Sequence, residues 1–284
     1  MATVMKIGVI GLGQMGRGIA QVAATFGHSV NMIDISTEAG EKGLTILHEQ
    51  LTKLVQKEKI SQEAKQAICE RFCLCKKFDE LQAMDVVVEA ISENEAIKFD
   101  LFKRLDIVVN SQAILTSNTS SISITKIAAI TKRPDKVIGM HFMNPVPIMQ
   151  LVEVIRGEDT SDTTFETTQQ LARSWQKTVV VSRDYPGFIV NRILMPMINE
   201  ACFALMEGVA TAEDIDQAMK LGTNQPMGPL TLADFIGLDT CLSIMDVLHT
   251  GLGDAKYRPC PYLKRMVAAG RLGKKVGRGF YKYQ

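Results

Sequence analysis

One histidine and one glutamate have the spacing of an acid–base pair. His141 and Glu153 stand at the two ends of the apolar stretch HFMNPVPIMQLVE. Pro145 and Pro147 cannot continue a strand ladder, so the stretch predicts a hairpin that turns between them. A turn centred on Pro147 sets His141 opposite Glu153, within reach of a cross-strand side-chain pair. The carboxylate would then orient the imidazole and stabilise its protonated form, while the second ring nitrogen exchanges a proton with substrate. A purely structural His–Glu pair is the alternative.

A second chemical signal is a glycine turn between a strand and a helix. KIGVIG has the pattern of a short apolar strand, and GLGQMG ends this strand and opens a helical stretch. In that context the GxGxxG spacing is typical of a dinucleotide-binding turn, because its glycines allow the tight turn, the approach of a pyrophosphate and close packing of helix on strand. The residues predicted to bind the cofactor here are Gly11, Leu12, Gly13, Gln14, Met15 and Gly16. A glycine turn without a ligand is the alternative.

An acidic residue closes the second strand, HSVNMID, at Asp34. It lies about 20 residues after the glycine turn, where a dinucleotide-binding fold places the carboxylate that bonds the ribose hydroxyls. This carboxylate would repel a 2′-phosphate, and no arginine follows it in DISTE. The sequence therefore predicts NAD rather than NADP as the cofactor.

The strands that must position these residues alternate with helical stretches. DVVVEA, AILTSN, KVIGMHF, QLVEVI and KTVVVS are continuous apolar runs, a pattern that predicts an α/β fold with a Rossmann-type, doubly wound parallel sheet. Between Ser36 and about Phe72, leucines at helical spacing predict an inserted αα-hairpin, with Ser36 and Ser61 as N-caps. After YPGF the strands stop. We therefore expect an NAD-binding domain over residues 1–185 and an all-helical domain over residues 186–284.

Ligands of such sheets bind beyond the carboxyl ends of the strands. Polar residues follow three of the predicted strands at that edge. The residues expected there are Glu93, Lys98, Ser117, Asn118, Ser120 and His141.

Composition excludes several other classes of function. A net charge of +1 gives no field that would recruit nucleic acid or an acidic membrane. The six cysteines form no CxxC pair and suggest reduced thiols of a cytoplasmic protein, with no metal site. The N-terminus runs directly into MKIGVIGLG, which does not have the pattern of a signal peptide. The apolar run from Phe188 to Met206 is interrupted by Asn191, Arg192 and Pro196, which favours a buried helix over a membrane span.

Taken together, the motifs resemble the L-3-hydroxyacyl-CoA dehydrogenase family over essentially the whole chain, most closely its bacterial 3-hydroxybutyryl-CoA branch. The motifs that carry the resemblance are GLGQMGRGIA, VVVEAISENEAIK, SNTSSISIT, HFMNPVPIMQLVEVIRG, PGFIVNRILMPMINEA, EDIDQAMKLG, PMGPLTLADFIGLD and GKKVGRGFYKY. The resemblance implies NAD-dependent interconversion of (S)-3-hydroxybutyryl-CoA, or another short-chain 3-hydroxyacyl-CoA, and the 3-ketoacyl-CoA. It also implies a homodimer formed through the helical domain.

The resemblance further implies residue roles. His141 would be the general acid/base with Glu153 as its partner, and Ser120 and Asn191 would bond the reacting end of the substrate. The residues implied to lie along NAD are Glu93, Lys98, Asn118, Ser120, Asn144 and Lys275. Lys53 and Lys57, together with Ser120, would contact coenzyme A. Spacing alone favours a solvated basic face for the two lysines. Lys275 lies in what the residues alone predict to be a flexible basic loop.

Two positions depart from the commonest family pattern, and other functions stay open. Met143 stands where phenylalanine is more usual, and Gln150 where lysine is more usual, which removes one charge near the site. A noncatalytic NAD-binding relative is one alternative. A dehydrogenase of free β-hydroxyacids is another, although that chemistry usually relies on a lysine base. The sequence gives neither the direction of the reaction nor the acyl chain length.

Overall fold

Eight strands form one sheet in the order β3-β2-β1-β4-β5-β6-β7-β8 in a computed structural model, which describes residues 4–283. The strands are β1 Lys6–Ile10, β2 Ser29–Ile33, β3 Phe72–Leu74, β4 Val86–Glu89, β5 Ile114–Ser117, β6 Val137–Phe142, β7 Leu151–Arg156 and β8 Thr178–Arg183. All neighbours are parallel except β6 and β7, which pair antiparallel as the predicted hairpin. Strand order reverses between β1 and β4, and in such sheets this switch point is where a dinucleotide binds.

Eleven α-helices are described within residues 4–283. They are α1 Gln14–Thr25, α2 Thr37–Gln56, α3 Gln62–Cys69, α4 Glu95–Val108, α5 Ile124–Ala129, α6 Asp162–Ser174, α7 Val190–Met206, α8 Ala212–Gly222, α9 Pro229–Ile236, α10 Leu238–Leu252 and α11 Pro261–Ala268. Short 3₁₀ helices cover Phe78–Leu81, Pro134–Lys136, Ala255–Tyr257 and Lys274–Val276. The Rossmann-type sheet followed by helices confirms the predicted fold class.

The inserted helical hairpin, α2 and α3, forms where the sequence predicts it. Ser36 caps α2 by accepting a hydrogen bond from the Ala39 N–H at 3.1 Å, and Ser61 caps α3 in the same way. Leu47 and Leu51 are fully buried along one side of α2. The side-chain oxygens satisfy backbone N–H groups that the first helical turn leaves unpaired, so both helices begin at the predicted residues.

The short strand β3 was not predicted. Phe72–Leu74 pairs in parallel with β2 at the sheet edge, where the sequence analysis expected the helical region to end. Only three residues pair, and none is fully buried. Neither alternation nor an apolar run could therefore mark the segment as a strand.

The chain divides between Tyr185 and Pro186 into two compact units. In the first unit, fully buried residues of β1, β4, β6 and β7 pack with α1 and α2. The second unit is helical and has its own core, drawn from α7, α9, α10 and α11. The apolar run that begins at Phe188 forms α7, with Pro196 inside the helix. Of the helices within residues 4–283, none is both long and apolar enough to cross a membrane.

The C-terminal segment GKKVGRGFYKY is anchored rather than loose, which corrects its interpretation as a flexible loop. Buried Asp234 accepts hydrogen bonds at 2.9 Å from the main-chain N–H groups of Phe280 and Tyr281, and at 3.0 Å from the Tyr283 hydroxyl. Asp216 accepts a further bond from the Tyr281 hydroxyl. These hydrogen-bond partners are more than 45 residues apart in the sequence, so no local sequence pattern predicts the bonds.

Candidate active site

His141 and Glu153 lie side by side on β6 and β7. The antiparallel register pairs them directly, which confirms the prediction made from the position of the turn. Nδ1 of His141 lies 2.7 Å from Oε2 of Glu153, and both side chains are buried. With the carboxylate ionised, Nδ1 carries the proton of this hydrogen bond. The bond fixes the ring orientation and occupies Nδ1, so the proton exchange predicted for His141 would use the second nitrogen, Nε2.

The end of β6 is held by Asn118, the residue after β5. Its side-chain Oδ1 accepts a hydrogen bond from the Phe142 N–H at 2.9 Å. The Asn118 N–H itself donates to the main-chain oxygen of Glu89 at 2.8 Å. Asn118 therefore links the carboxyl ends of β4, β5 and β6, one residue from His141.

Glu93 organises the loop Thr119–Ser121 that carries Ser120. One oxygen, Oε1, accepts hydrogen bonds from the Thr119 hydroxyl at 2.6 Å, the Ser120 N–H at 2.9 Å and both the N–H and the hydroxyl of Ser121. Partial burial alone would raise the pKa of Glu93, but Lys98 and these donors outweigh it, so the pKa lies below its ordinary value. The carboxylate is thus kept charged, which keeps the loop bonded to it.

Lys98 is buried in an ion cluster that the sequence predicts only in part. Its ammonium lies 2.5 Å from Oε1 of Glu89 and 3.4 Å from Oε2 of Glu93. The other Glu89 oxygen accepts from the Ser117 hydroxyl at 2.5 Å. Glu89 was missed because it closes the apolar run VVVE. An acid that ends a buried strand nine residues before a lysine is the signal that could have revealed the pair. The role of Lys98 along a cofactor stays a prediction.

The glycine turn and Asp34 form one hydrogen-bonded unit. Oδ2 of Asp34 accepts from the Leu12 N–H at 2.5 Å, so the acid at the end of β2 holds the turn after β1. Gly11 has a φ of +89°, a conformation that favours glycine. A Cβ at Gly16 would collide with the Gly11 carbonyl, whereas a Cβ at Gly13 would meet nothing within 4 Å. Gly13 therefore leaves the open space that a pyrophosphate requires at the start of α1.

A cavity of about 1080 Å³ adjoins this turn. Its lining includes Gly11, Gly13, Asp34, Ile35 and Arg104. The first turn of α1 contains no acidic residue, so its unpaired N–H groups can receive a phosphate. The open glycine turn, the fixed carboxylate and the size of the cavity all fit a dinucleotide such as NAD.

The two lysines expected at coenzyme A lie at the end of α2. Lys53 is in its last turn, and Lys57 is the residue that caps it. Both side chains are exposed, and Lys53 borders a shallow cleft of about 370 Å³ with Thr45, His48 and Glu49. The structure brings the two cations together on one surface, and their role at coenzyme A stays a prediction.

Asn191 and Lys275 belong to the second unit. Asn191 is buried in the first turn of α7. The Lys275 ammonium donates to both Asp239 oxygens, at 2.6 and 2.7 Å. Partial burial would raise the pKa of Asp239, but the bond and charge of Lys275 lower it below its ordinary value. The predicted roles of both residues toward ligands stay predictions. Within residues 4–283, no cluster of three or more His, Cys, Asp or Glu could hold a metal ion.

Comparisons with known proteins agree with this arrangement. A family model for the NAD-binding domain of 3-hydroxyacyl-CoA dehydrogenase matches residues 6–185, and one for the C-terminal domain matches residues 187–283. A probable 3-hydroxybutyryl-CoA dehydrogenase of Bacillus subtilis is 55% identical over 99% of this chain and 98% of its own length. The 3-hydroxybutyryl-CoA dehydrogenase of Bradyrhizobium diazoefficiens is 53% identical over 100% of this chain and 97% of its own length.

A solved structure has the same fold throughout. The (S)-3-hydroxybutyryl-CoA dehydrogenase of Ralstonia eutropha superposes with a TM-score of 0.96 at 49% identity, covering 99% of this chain and all of the other. The match to the NAD-binding domain confirms the predicted cofactor. The chain therefore belongs to the 3-hydroxyacyl-CoA dehydrogenase family of NAD-dependent oxidoreductases.

Proposed function

We propose that this protein interconverts (S)-3-hydroxybutyryl-CoA and acetoacetyl-CoA, with His141 as the general acid and base and Glu153 as its orienting partner. The observation that carries the proposal is the buried hydrogen bond of 2.7 Å between His141 and Glu153, next to the strand-end loops. The names of the bacterial relatives support the choice of acyl group.

The proposed chemistry divides between cofactor and protein. NAD, held by the glycine turn and Asp34, would supply the hydride acceptor for C3 of the hydroxyacyl chain in oxidation and the hydride donor in reduction. His141 takes the proton of the C3 hydroxyl in oxidation and gives it back in reduction. Glu153 stabilises the imidazolium in between. Ser120 and Asn191 hydrogen-bond the C3 oxygen or the thioester end, which polarises the reacting group and orients it.

The remaining contacts of the cofactor and of coenzyme A follow the same assignment. Gly11 to Gly16 receive the pyrophosphate and Asp34 bonds the adenosine ribose, which favours NAD over NADP. Asn118, Asn144 and Glu93 border the nicotinamide half, with Lys98 behind Glu93. Exposed Lys53 and Lys57 pair with phosphates of coenzyme A, since an ammonium group forms charge-assisted hydrogen bonds with phosphate.

Residues 1–185 would be the NAD-binding domain, and residues 186–284 would be the helical domain for substrate and for formation of a homodimer. Lys275 would contact NAD, as the resemblance to the family implies. All six cysteines carry free thiols, which supports a cytoplasmic location because reducing compartments keep thiols unpaired.

The test is NADH oxidation with acetoacetyl-CoA, run beside NADPH, beside free acetoacetate and with His141→Ala. We expect turnover with NADH and acetoacetyl-CoA, and little turnover when NADPH replaces NADH or free acetoacetate replaces acetoacetyl-CoA. His141→Ala should show a ~10²–10⁴-fold fall in kcat. The variant should still bind NADH. A folded wild type that binds NADH without reducing acetoacetyl-CoA would refute the proposed reaction. A variant with unchanged kcat would refute the role of His141.

A further inference from the structure

The turn between β6 and β7 joins the proposed catalytic pair to the cofactor side of the site. It begins three residues after His141 with Asn144 and ends three residues before Glu153. The side-chain oxygen of Asn144 accepts a hydrogen bond at 2.9 Å from Gln14, in the first turn of α1. This turn therefore spans the distance between the acid–base pair and the helix that follows the glycine turn.

Val146 in this turn packs against α1. A Cβ added to Gly18 would lie 2.8 Å from the Val146 Cβ and 3.4 Å from Pro147. The glycine thus lets the turn approach the helix more closely than any other residue would. The turn also closes on itself, since the N–H groups of Ile148 and Met149 both donate to the Pro145 oxygen.

A buried lysine holds the turn from its other side. The Lys177 ammonium donates to the main-chain oxygens of Val146 at 2.6 Å and Met149 at 2.8 Å. The residue lies just before β8 and is 8% exposed. The adjacent Thr178 N–H donates to the Gln150 oxygen at 2.8 Å. Burial lowers the pKa of Lys177, as expected for an ammonium taken out of water. Burial of such a cation is unfavourable unless its donors are used, and here they are used on the turn.

We propose that Lys177 is a positioning residue for the reaction: it fixes the β6–β7 turn and thereby the Asn144 side chain against the nicotinamide end of the bound cofactor. The proposal rests on the proposed placement of Asn144 at the cofactor. Lys177 itself touches neither cofactor nor substrate. Without its ammonium, the main-chain oxygens of Val146 and Met149 lose this donor, and the turn shifts relative to α1.

The test compares Lys177→Met, which keeps the length of the side chain but has no donor, with Lys177→Arg, which keeps the charge and the donors. A matched control is Arg133→Met. Arg133 also donates to main-chain oxygens, those of Asp106, Val109 and Asn110, at the C-terminal end of α4. NADH dissociation constants come from NADH fluorescence, and kcat and KM from acetoacetyl-CoA reduction, at a temperature where all variants are folded.

We expect Lys177→Met to weaken NADH binding by about tenfold and to lower kcat by ~10–100-fold, because small displacements of positioning groups have effects of this size. The KM for acetoacetyl-CoA should change less than twofold. Lys177→Arg should restore most of the NADH affinity. Arg133→Met should lower the melting temperature without changing NADH affinity or kcat.

The decisive test is to introduce Lys177→Met into the Asn144→Ala variant. If Lys177 acts through the turn, adding Lys177→Met to Asn144→Ala should weaken NADH binding by less than a further twofold, since coupled sites are not additive. Additive effects, or NADH affinity unchanged in either single variant, would overturn the proposal. NADH binding needs no acyl substrate. A wild type that binds NADH but does not reduce acetoacetyl-CoA would therefore refute the proposed reaction alone, and the coupling would still be measured.

Discussion

Replacing Glu153 by glutamine removes a charge from the buried pair with little change in shape. Glu153 is fully buried, and its Oε2 lies 2.7 Å from Nδ1 of His141. Glutamine can still accept the Nδ1 hydrogen bond through its amide oxygen. What it loses is the difference between a charge-assisted and a neutral bond, about 1–1.5 kcal/mol. Because each 1.36 kcal/mol is tenfold in rate, we expect kcat for (S)-3-hydroxybutyryl-CoA oxidation, the direction in which the imidazolium forms, to fall about tenfold.

The same loss should appear in the pH dependence. Reduction needs the protonated imidazole, which the carboxylate stabilises. The alkaline limb of the pH–rate profile should therefore move to lower pH in Glu153→Gln. The assay is kcat/KM with saturating NADH across both limbs of the profile. Glu158→Gln is the matched control, since Glu158 is an exposed carboxylate that follows the same strand.

A stability effect alone would not account for both changes. Glu153→Gln with a lower melting temperature but with the wild-type kcat and profile would mean that the carboxylate only supports the fold. A pH–rate profile that shifts without a fall in kcat would also contradict this reasoning. The charge of Glu153 would then change the pH dependence without changing the rate of the reaction step.

Four further predictions concern the rest of the chain. Asp34→Ser should raise the KM for NADH by ~10–100-fold, since a charged acceptor is lost, and should reduce the difference between the KM values for NADH and NADPH. An equal rise of both KM values would contradict this role. Lys53→Glu should raise the KM for acetoacetyl-CoA and leave that for NADH unchanged, with Lys132→Glu as the control; parallel changes in both KM values would reject the coenzyme A contact. Glu93→Gln should lower kcat because the Ser120 loop loses its charged acceptor, and the loop amides should exchange faster with deuterium; wild-type exchange would speak against this. Burial lowers the pKa of His28, so the unfolded state binds the proton more readily than the folded state. Stability should therefore fall as pH drops below about 6.5. The urea midpoint of His28→Asn should depend less on pH in this range than that of the wild type.

The sequence was sufficient for the catalytic pair because its constraint is local. Two prolines fix the turn, and the alternation of the strands then fixes which residues face each other, so His141 and Glu153 could be paired by counting. The glycine turn and Asp34 were predictable for a similar reason, since strand, turn and helix follow one another directly along the chain.

Residues held by distant partners could not be predicted in this way. Lys177 looks like a solvated lysine at the start of a strand, and its acceptors lie 31 and 28 residues earlier in the chain. Glu89 and Lys98 appear as unrelated charges until the chain after β4 turns into α4 and brings them together. The three-residue strand β3 depends on pairing with β2 rather than on its own pattern.

Acidic side chains hold the loops of this sheet in place by accepting main-chain hydrogen bonds, whereas glycines only allow the tight turns to form. Gly11 and Gly16 allow the dinucleotide turn to form, but Asp34 holds it through the Leu12 N–H. Glu93 holds the Ser120 loop through main-chain N–H groups, and Asp184 holds the start of α5 through those of Ile124 and Thr125. Each of these carboxylates accepts hydrogen bonds, and a protonated carboxyl group would lose part of this acceptor capacity. Since the pKa of Glu93 is lowered in the folded state, its contribution is present above the ordinary glutamate value and is lost as pH falls through the lowered one. Order in the Ser120 loop of the proposed active site is therefore tied to the charge state of Glu93, which does not itself react.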